Sequence, residues 1–319
     1  AESIARGTSC TDGVCQAPLL SIEENWTGTL EGTFRHVLEN EVLPVWLPRQ
    51  RWFRAKTRTI TGVGLTDWAK MGGGFFLVVL QVRCAEGEPE DYTLPLKIVT
   101  GGAADHFCAH TPEAILARFK TPRGEGLFID ALADRVACRL LFDAMAEGRS
   151  FLTQKNNTVE AFATRAFDRV FPGDTTWSAV RFLGLEQSNS SVVLNEQALI
   201  KLFRRIEDGE NPDFAVSLHL TEHTGFTALA PVAGGIRLER DGRTAALAML
   251  QPYLASDGDG WQFALDSAAA FAAARHEQPE AQWRPFAGMD LFTAAAAWPT
   301  IEAPAWCGDY FVVKSTSSV

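Results

Sequence analysis

The sequence predicts an α+β protein, strand-rich in its first third and mixed in its middle. Three patterns carry that expectation. Residues 60–100 hold the apolar and β-branched runs "TITGVGL", "GFFLVVLQVRC" and "DYTLPLKIV", separated by the turns "MGGGF" and "GEPED". The stretch "NPDFAVSLHLTEH" (211–223) opens on an Asn-Pro cap signal and sets one helix inside a series of strand-like runs. No apolar stretch reaches the ~18–20 residues of a membrane helix, and the best candidate, "GFFLVVLQV", has the length of a strand.

Taken in order, residues 1–25 read as a polar leader without the charged-then-apolar pattern of a signal peptide. "WTGTLEGTFRHVLENE", from Trp26 to Glu41, is expected to be a helix with Leu30, Phe34, Val37 and Leu38 on one face. "VLPVWLPRQRWFRAK" follows, interrupted by Pro44 and Pro48. "GLFIDALADRVACRLLFDAMAEG" (126–148) is expected to be one helix, with Leu132, Val136, Leu140 and Leu141 aligned and Gly148 as its stop. "TVEAFATRAFDRVF" continues in helical or irregular form to Pro172. "WSAVRFLGLE", "SVVLN" and "QALIKLF" then read as three strands joined by "QSNS" and "NE". After the helix of 211–223, two more strands flank the "RDGR" hairpin turn. Beyond "SDGDG" the chain turns alanine-rich and helical, and from Pro299 it is proline-interrupted and then polar.

Composition removes some function classes. The 319 residues are 46% apolar and 21% charged, with a net charge of −10, the opposite of the basic face that a nucleic-acid binder needs. Cysteines at 10, 15, 84, 108, 138 and 307 are scattered, as in reduced thiols, which points to the cytoplasm. "HLTEH" (219–223) matches an inverted zinc-peptidase pattern, but the helix stops at once in "TGF" and no third ligand is indicated. "SDGDGW" (256–261) lacks the other oxygen ligands of a calcium loop and reads as a turn. His106 and His110 are expected to cap or line a loop.

The order over 177–254 is strand, turn, strand, strand, helix, strand, strand, that of a protein-kinase-type N-lobe. In such a lobe the first turn covers nucleotide phosphates, the third strand carries a lysine to them, and the helix supplies that lysine's carboxylate partner. A lysine inside the apolar run "ALIKLF" is costly unless something anionic meets it. Lys201 therefore points to ATP.

Four stretches together resemble maltokinase: "LPVWLPRQRWFRAK" (43–56), "EQSNSSVVLNEQALIKLFRRIEDGENPDF" (186–214), "GF" (225–226) and "LQPYLASDGDGW" (250–261). The resemblance implies an aminoglycoside-kinase-like fold. Residues 26–125 would be an N-terminal cap domain, 126–255 the N-lobe, and 256–319 an incomplete start of the C-lobe and a tail. It implies transfer of the ATP γ-phosphoryl group to maltose, with Mg2+ as cofactor and trehalose synthase as a candidate partner or fused neighbour. Ser188, Asn189, Ser190 and Ser191 would form the phosphate loop, Lys201 would reach the phosphates, and 249–253, with Gln251 and Tyr253, would be the hinge against adenine.

Two departures qualify the resemblance. Ala215 stands where the helix glutamate belongs, which predicts a looser phosphate grip, with Glu222 as a distant substitute. Residues 254–319 carry neither a His-Gly-Asp-type loop nor a later metal-binding aspartate, so no catalytic residue and no magnesium ligand is assigned. The expectation is the front portion of a maltokinase, alone or from a trehalose synthase fusion. The alternatives are a non-catalytic nucleotide-binding or regulatory module, and a related kinase with another acceptor.

Overall fold

The computed structural model describes residues 17–23, 30–173, 179–183, 189–207, 209, 211–255 and 260–276. The first strand, β1 (Leu19–Ser21), is followed by a continuous helical segment: α1 (Gly32–Val37), a π turn (Leu38–Val42), α2 (Leu43–Trp46) and a 3-10 turn (Leu47–Arg49). The expected start at Trp26 lies outside the described residues, and among the described ones Leu30 and Glu31 precede the helix, which begins at Gly32. Pro44 lacks an N–H and its ring crowds the preceding turn. The backbone widens into the π turn just ahead of it, so helicity survives a residue that ordinarily ends it. Phe34, Val37 and Leu38 are buried, as their helical spacing requires, and Leu30 is buried just ahead of the helix.

The three predicted strands are β2 (Ile60–Gly72), β3 (Phe75–Cys84) and β4 (Glu90–Thr100), antiparallel neighbours in that order. Gly73 and Gly74 make the first turn at positive φ. Next, α3 (Gly102–His110) holds His106 and His110 on a helix, where a loop was expected; their rings stack at 4.3 Å. A hairpin of β5 (Ile115–Thr121) and β6 (Gly124–Asp130) completes the first sheet.

The helix expected over 126–148 is therefore half strand. β6 pairs with β4 and β5, and only after a 3-10 turn at Ala131–Ala133 does α4 (Arg135–Glu147) begin. A short apolar run such as "GLFI" suits either structure by periodicity alone. Asp134 decides the start, accepting a 2.8 Å hydrogen bond from the Ala137 amide, and Gly148 closes the helix at a φ of 64°. Val136 is exposed, and the buried stripe is Ala137, Cys138, Leu141, Phe142, Ala144 and Met145.

"TVEAFA" is likewise a strand rather than helical or irregular. β7 (Ser150–Leu152) and β8 (Thr158–Ala163) lead into the short α5 (Phe167–Val170). Then come β9 (Val180–Leu183), β10 (Asn189–Leu194), β11 (Ala198–Phe203), β12 (Arg205–Ile206), α6 (Pro212–His223), β13 (Gly234–Arg240) and β14 (Arg243–Pro252), all at predicted places except β12. The second sheet runs β7-β8-β13-β14-β11-β10-β9, while β12 crosses to pair with β4 of the first. The chain order β9, β10, β11, α6, β13, β14 thus gives the spatial order first, second, third, fifth, fourth. That is the kinase-type N-lobe arrangement, and the fold is α+β as expected.

Both sheets belong to one compact unit, Ala1–Tyr253. The expected boundary at 125/126 falls inside β6, whose pairing carries the first sheet to Asp130. Leu254–Val319 forms a second unit, of which α7 (Gly260–His276) is described. No helix among the described residues is long and apolar enough to cross a membrane. The expected leader, Cys10, Cys15 and Cys307, most of "SDGDGW" and the tail lie largely outside the described residues.

Around the "RWF" stretch, Trp52 and Phe53 pack on each other and on Tyr92, and Trp46 closes the cluster at 5.9 Å from Trp52. Tyr92 donates to Glu90 at 2.6 Å, and Arg58 donates to the same carboxylate at 2.8 Å. Burial alone would push the Glu90 carboxyl up, but the Tyr92 hydroxyl and the charges of Arg205 and Arg58 outweigh it and hold it below the usual carboxylate range. A carboxyl depressed in the folded state stabilises the fold above its unfolded value, and that contribution disappears as pH falls through the folded value. Denaturant midpoints at about pH 6 and about pH 3.5 should therefore differ less for Glu90→Gln than for wild type.

Candidate functional site

Lys201 lies mid-strand in β11, directly opposite Ser191 of β10 and Met249 of β14. Directly opposed residues on antiparallel strands point to the same face, and successive residues alternate. Asn189, Ser191, Lys201 and Gln251 therefore share one face of the second sheet, and α6 packs there through Phe214. Ser190 points to the other face. The predicted phosphate residues are thus divided between two sides of the sheet, and Ser188 lies outside the described residues.

The carboxylate that meets Lys201 is Asp213. Its Oδ2 is 2.9 Å from the lysine Nζ, so the expectation that Ala215 leaves the lysine without a helix partner is corrected. Asn211 caps α6 by accepting from the Phe214 amide at 3.2 Å, Pro212 opens the first turn, and Asp213 follows at the end where the helix dipole favours a negative charge. With Asp213 half exposed, the pair adds only ~0–1 kcal/mol of stability. Its consequence is orientation: it holds a flexible ammonium at one point of the face. Glu222 is engaged elsewhere, accepting from the Arg165 amide at 3.2 Å. With Lys201 already partnered by Asp213, Ala215→Glu is expected to leave the thermal midpoint within about 2 °C of wild type, which scanning calorimetry checks.

The helix seat is tight. Phe214 lies against Phe203 and Phe162, and a Cβ at Gly235 would come within 2.7 Å of its ring. Arg237 stacks over Phe162 at 4.3 Å and over Phe214 at 5.6 Å. At the predicted hinge, Gln251 donates to the Ala230 carbonyl at 2.8 Å, and the Tyr253 amide donates to the Gln197 carbonyl at 2.7 Å. Arg181 grips Glu196 through two hydrogen bonds and also donates to the Tyr253 hydroxyl at 3.1 Å, fastening β9 to the β10–β11 turn and the hinge.

On the opposite face, Ser190 accepts from Arg204 Nε at 2.7 Å. Arg204 is fully buried, its Nη2 lies 2.5 Å from Asp130 Oδ2, and its Cζ sits 4.5 Å over the Trp52 ring. Burial lowers the guanidinium's pKa, and the Asp130 charge works against that shift. Arg204 Nη1 has no acceptor. Nearby, Lys97 and Asp134 form a second enclosed pair at 2.8 Å. Trp52, Asp130, Asn189 and Ser190 line a cleft of about 1210 Å3 together with Trp46 and Phe182.

His219 and His223 sit 5.1 Å apart on α6, and among the described residues no group of three or more His, Cys, Asp or Glu side chains is placed to hold a metal. Gly225 and Phe226, part of the "GF" stretch, line a separate pocket of about 460 Å3 beside α5.

Residues 46–134 match the family model described as the maltokinase N-terminal cap domain. The maltokinase resemblance holds over the cap. The matched segment runs from Trp46 of the aromatic cluster to Asp134, the residue that caps α4. Among solved structures, a glucosamine kinase is 20% identical with a TM-score of 0.44, covering 76% of this chain and 46% of that one. A glucosamine kinase in complex with glucosamine, ADP and inorganic phosphate is 19% identical with a TM-score of 0.45, covering 79% and 47%. The chain thus spans less than half the length of these glucosamine kinases.

Sequence reasoning missed Asp213, Arg204 and Asp130. For Asp213 a signal existed: an acidic residue just after an Asn-Pro cap lies on the first turn of the helix. Nothing local marked Arg204, because its partners lie 14 and 74 residues away in sequence.

Proposed function

We propose that this chain binds ATP on the α6 face of the second sheet and forms the nucleotide-binding front of a maltokinase-type sugar kinase, with maltose as phosphoryl acceptor. The observation that carries the reading is the 2.9 Å contact between Lys201 and Asp213, a strand lysine held by a helix carboxylate within a kinase-type strand order. Phosphoryl transfer depends on positioning and on neutralising charge, and this pair does the first by holding the ammonium's charge at one point of the face. Ser191 is fully buried on the same face beside the lysine, and backbone amides at the start of β10 add donors. Gln251 and Tyr253 would border the adenine.

Magnesium would neutralise the phosphates when bound, and no residue here is assigned to hold it. Maltose as acceptor rests on the cap family of residues 46–134. Calorimetric titration of the chain with ATP tests the site. Lys201→Ala is expected to weaken binding about ten- to a hundredfold, the range for a hydrogen bond to a charged group. Undetectable binding in the wild type, or equal affinity in the variant, defeats the nucleotide assignment. Incubation with ATP and a panel of sugars, followed by detection of sugar phosphate, tests the acceptor.

A further inference from the structure

The chain passes from the second sheet to the first at Arg204. It follows β11 directly, three residues after Lys201, and precedes β12, where Arg205 pairs with Tyr92. Its carbonyl accepts from the Thr93 amide at 2.6 Å, so its backbone is held by the cap sheet while its side chain turns inward. That side chain joins three segments distant in sequence: Ser190 at the head of β10, Asp130 at the end of β6, and Trp52 of the aromatic cluster. Asp130 is itself fixed, since its Oδ1 accepts from the Leu132 amide at 3.1 Å.

A fully buried guanidinium is an expensive way to fill space, and apolar residues of the same volume often give an equally stable core. What the planar fork adds is geometry: two donors at a fixed angle and a flat face for an indole. Ser190 is the strand residue beside Asn189 and Ser191, both on the proposed nucleotide face, so the hydroxyl held by Arg204 sets where the head of β10 lies. The wall of the large cleft contains Trp52, Asp130 and Ser190 together.

We propose that Arg204 is a positioning residue through which the cap sets the phosphate-binding strand: Asp130 and Trp52 hold the guanidinium, the guanidinium holds Ser190, and nucleotide affinity on the other face depends on all three. The inference rests on the nucleotide reading above. It makes Ser190 a structural relay and not a phosphate contact, and by linkage nucleotide in turn tightens the cap's hold.

A double-mutant cycle on ATP affinity tests it, using the 319-residue chain by calorimetry well below the melting transition. Ser190→Ala and Asp130→Asn should each weaken ATP about three- to tenfold, and the double variant should be no weaker than the worse single one. Arg204→Lys, which keeps the charge without the fork, should match the double variant. If Asp130→Asn does not fold, Trp52→Phe takes its place in the cycle. Additive losses would mean that Ser190 acts on the phosphates by itself and would overturn the relay. Unchanged affinity in Ser190→Ala, with Lys201→Ala weakened, overturns the relay alone. A Lys201→Ala variant that binds ATP as the wild type does overturns the nucleotide reading and the relay with it.

Discussion

Asp130→Ala is expected to be among the most destabilising substitutions in the chain, lowering stability by about 3–5 kcal/mol. The loss comes less from the missing attraction than from what remains. Arg204 is fully buried, and with its Nη1 already lacking an acceptor, removing Asp130 leaves the guanidinium with the Ser190 hydroxyl as its side-chain acceptor. The Leu132 amide loses its acceptor at the same time. For a folded unit of this size, about 2–4 °C per kcal/mol places the fall in thermal midpoint at about 6–20 °C. A compensated variant, Asp130→Leu with Arg204→Met, should recover most of it, because an apolar pair removes the stranded charge instead of exposing it. Scanning calorimetry on wild type, single and double variants checks both. A midpoint within about 2 °C of wild type for Asp130→Ala would mean that water reaches Arg204.

The second large effect is expected at Asp67→Ala. Asp67 is 2% exposed, in the middle of β2, and its carboxylate accepts from Thr153 Oγ1 at 2.7 Å, Asn157 Nδ2 at 2.8 Å, the Trp68 amide at 2.9 Å and the Lys155 amide at 3.1 Å. Three of those four donors belong to the turn between β7 and β8, so one carboxylate organises the turn that joins the edge of the second sheet to the first. Alanine would leave those donors without their acceptor in a site with little room for water. At ~1–3 kcal/mol for each donor left buried, and with partial relief by solvent, the loss should be about 3–5 kcal/mol. Asp67→Asn should retain part of the stability, since its carbonyl still accepts from two donors while its amide faces the others. Urea denaturation of the three proteins orders them as wild type, Asn and Ala; an Ala variant equal to Asn would show that the turn repacks.

Some of this architecture was legible in one dimension. The helix of 211–223 and its Asn cap, the "RDGR" hairpin and the strands of 60–100 follow from local chemistry: a side-chain cap, residues that tolerate positive φ, and β-branched runs of strand length. The kinase-type order from 177 to 254 is a consequence of those pieces, and so was the expectation that Lys201 needs an anionic partner. The "RWF" cluster also showed itself, since three adjacent large residues must pack somewhere.

Other features were decided only by tertiary structure. "GLFI" and "TVEAFA" became strands because neighbouring strands offered them hydrogen bonds, a demand that short-range periodicity does not contain. Asp213, and not residue 215, meets Lys201, because the angle at which α6 lands is set by Phe214 wedged over Gly235, a contact between residues 21 apart. Ser190 and Ser191 are adjacent and chemically identical, yet the pleat sends one to Arg204 and the other to the lysine's face. Local chemistry determined which elements this chain forms. Which side chains meet was determined by packing, since the energy of a buried charge or hydroxyl depends on partners that only the folded chain brings within reach.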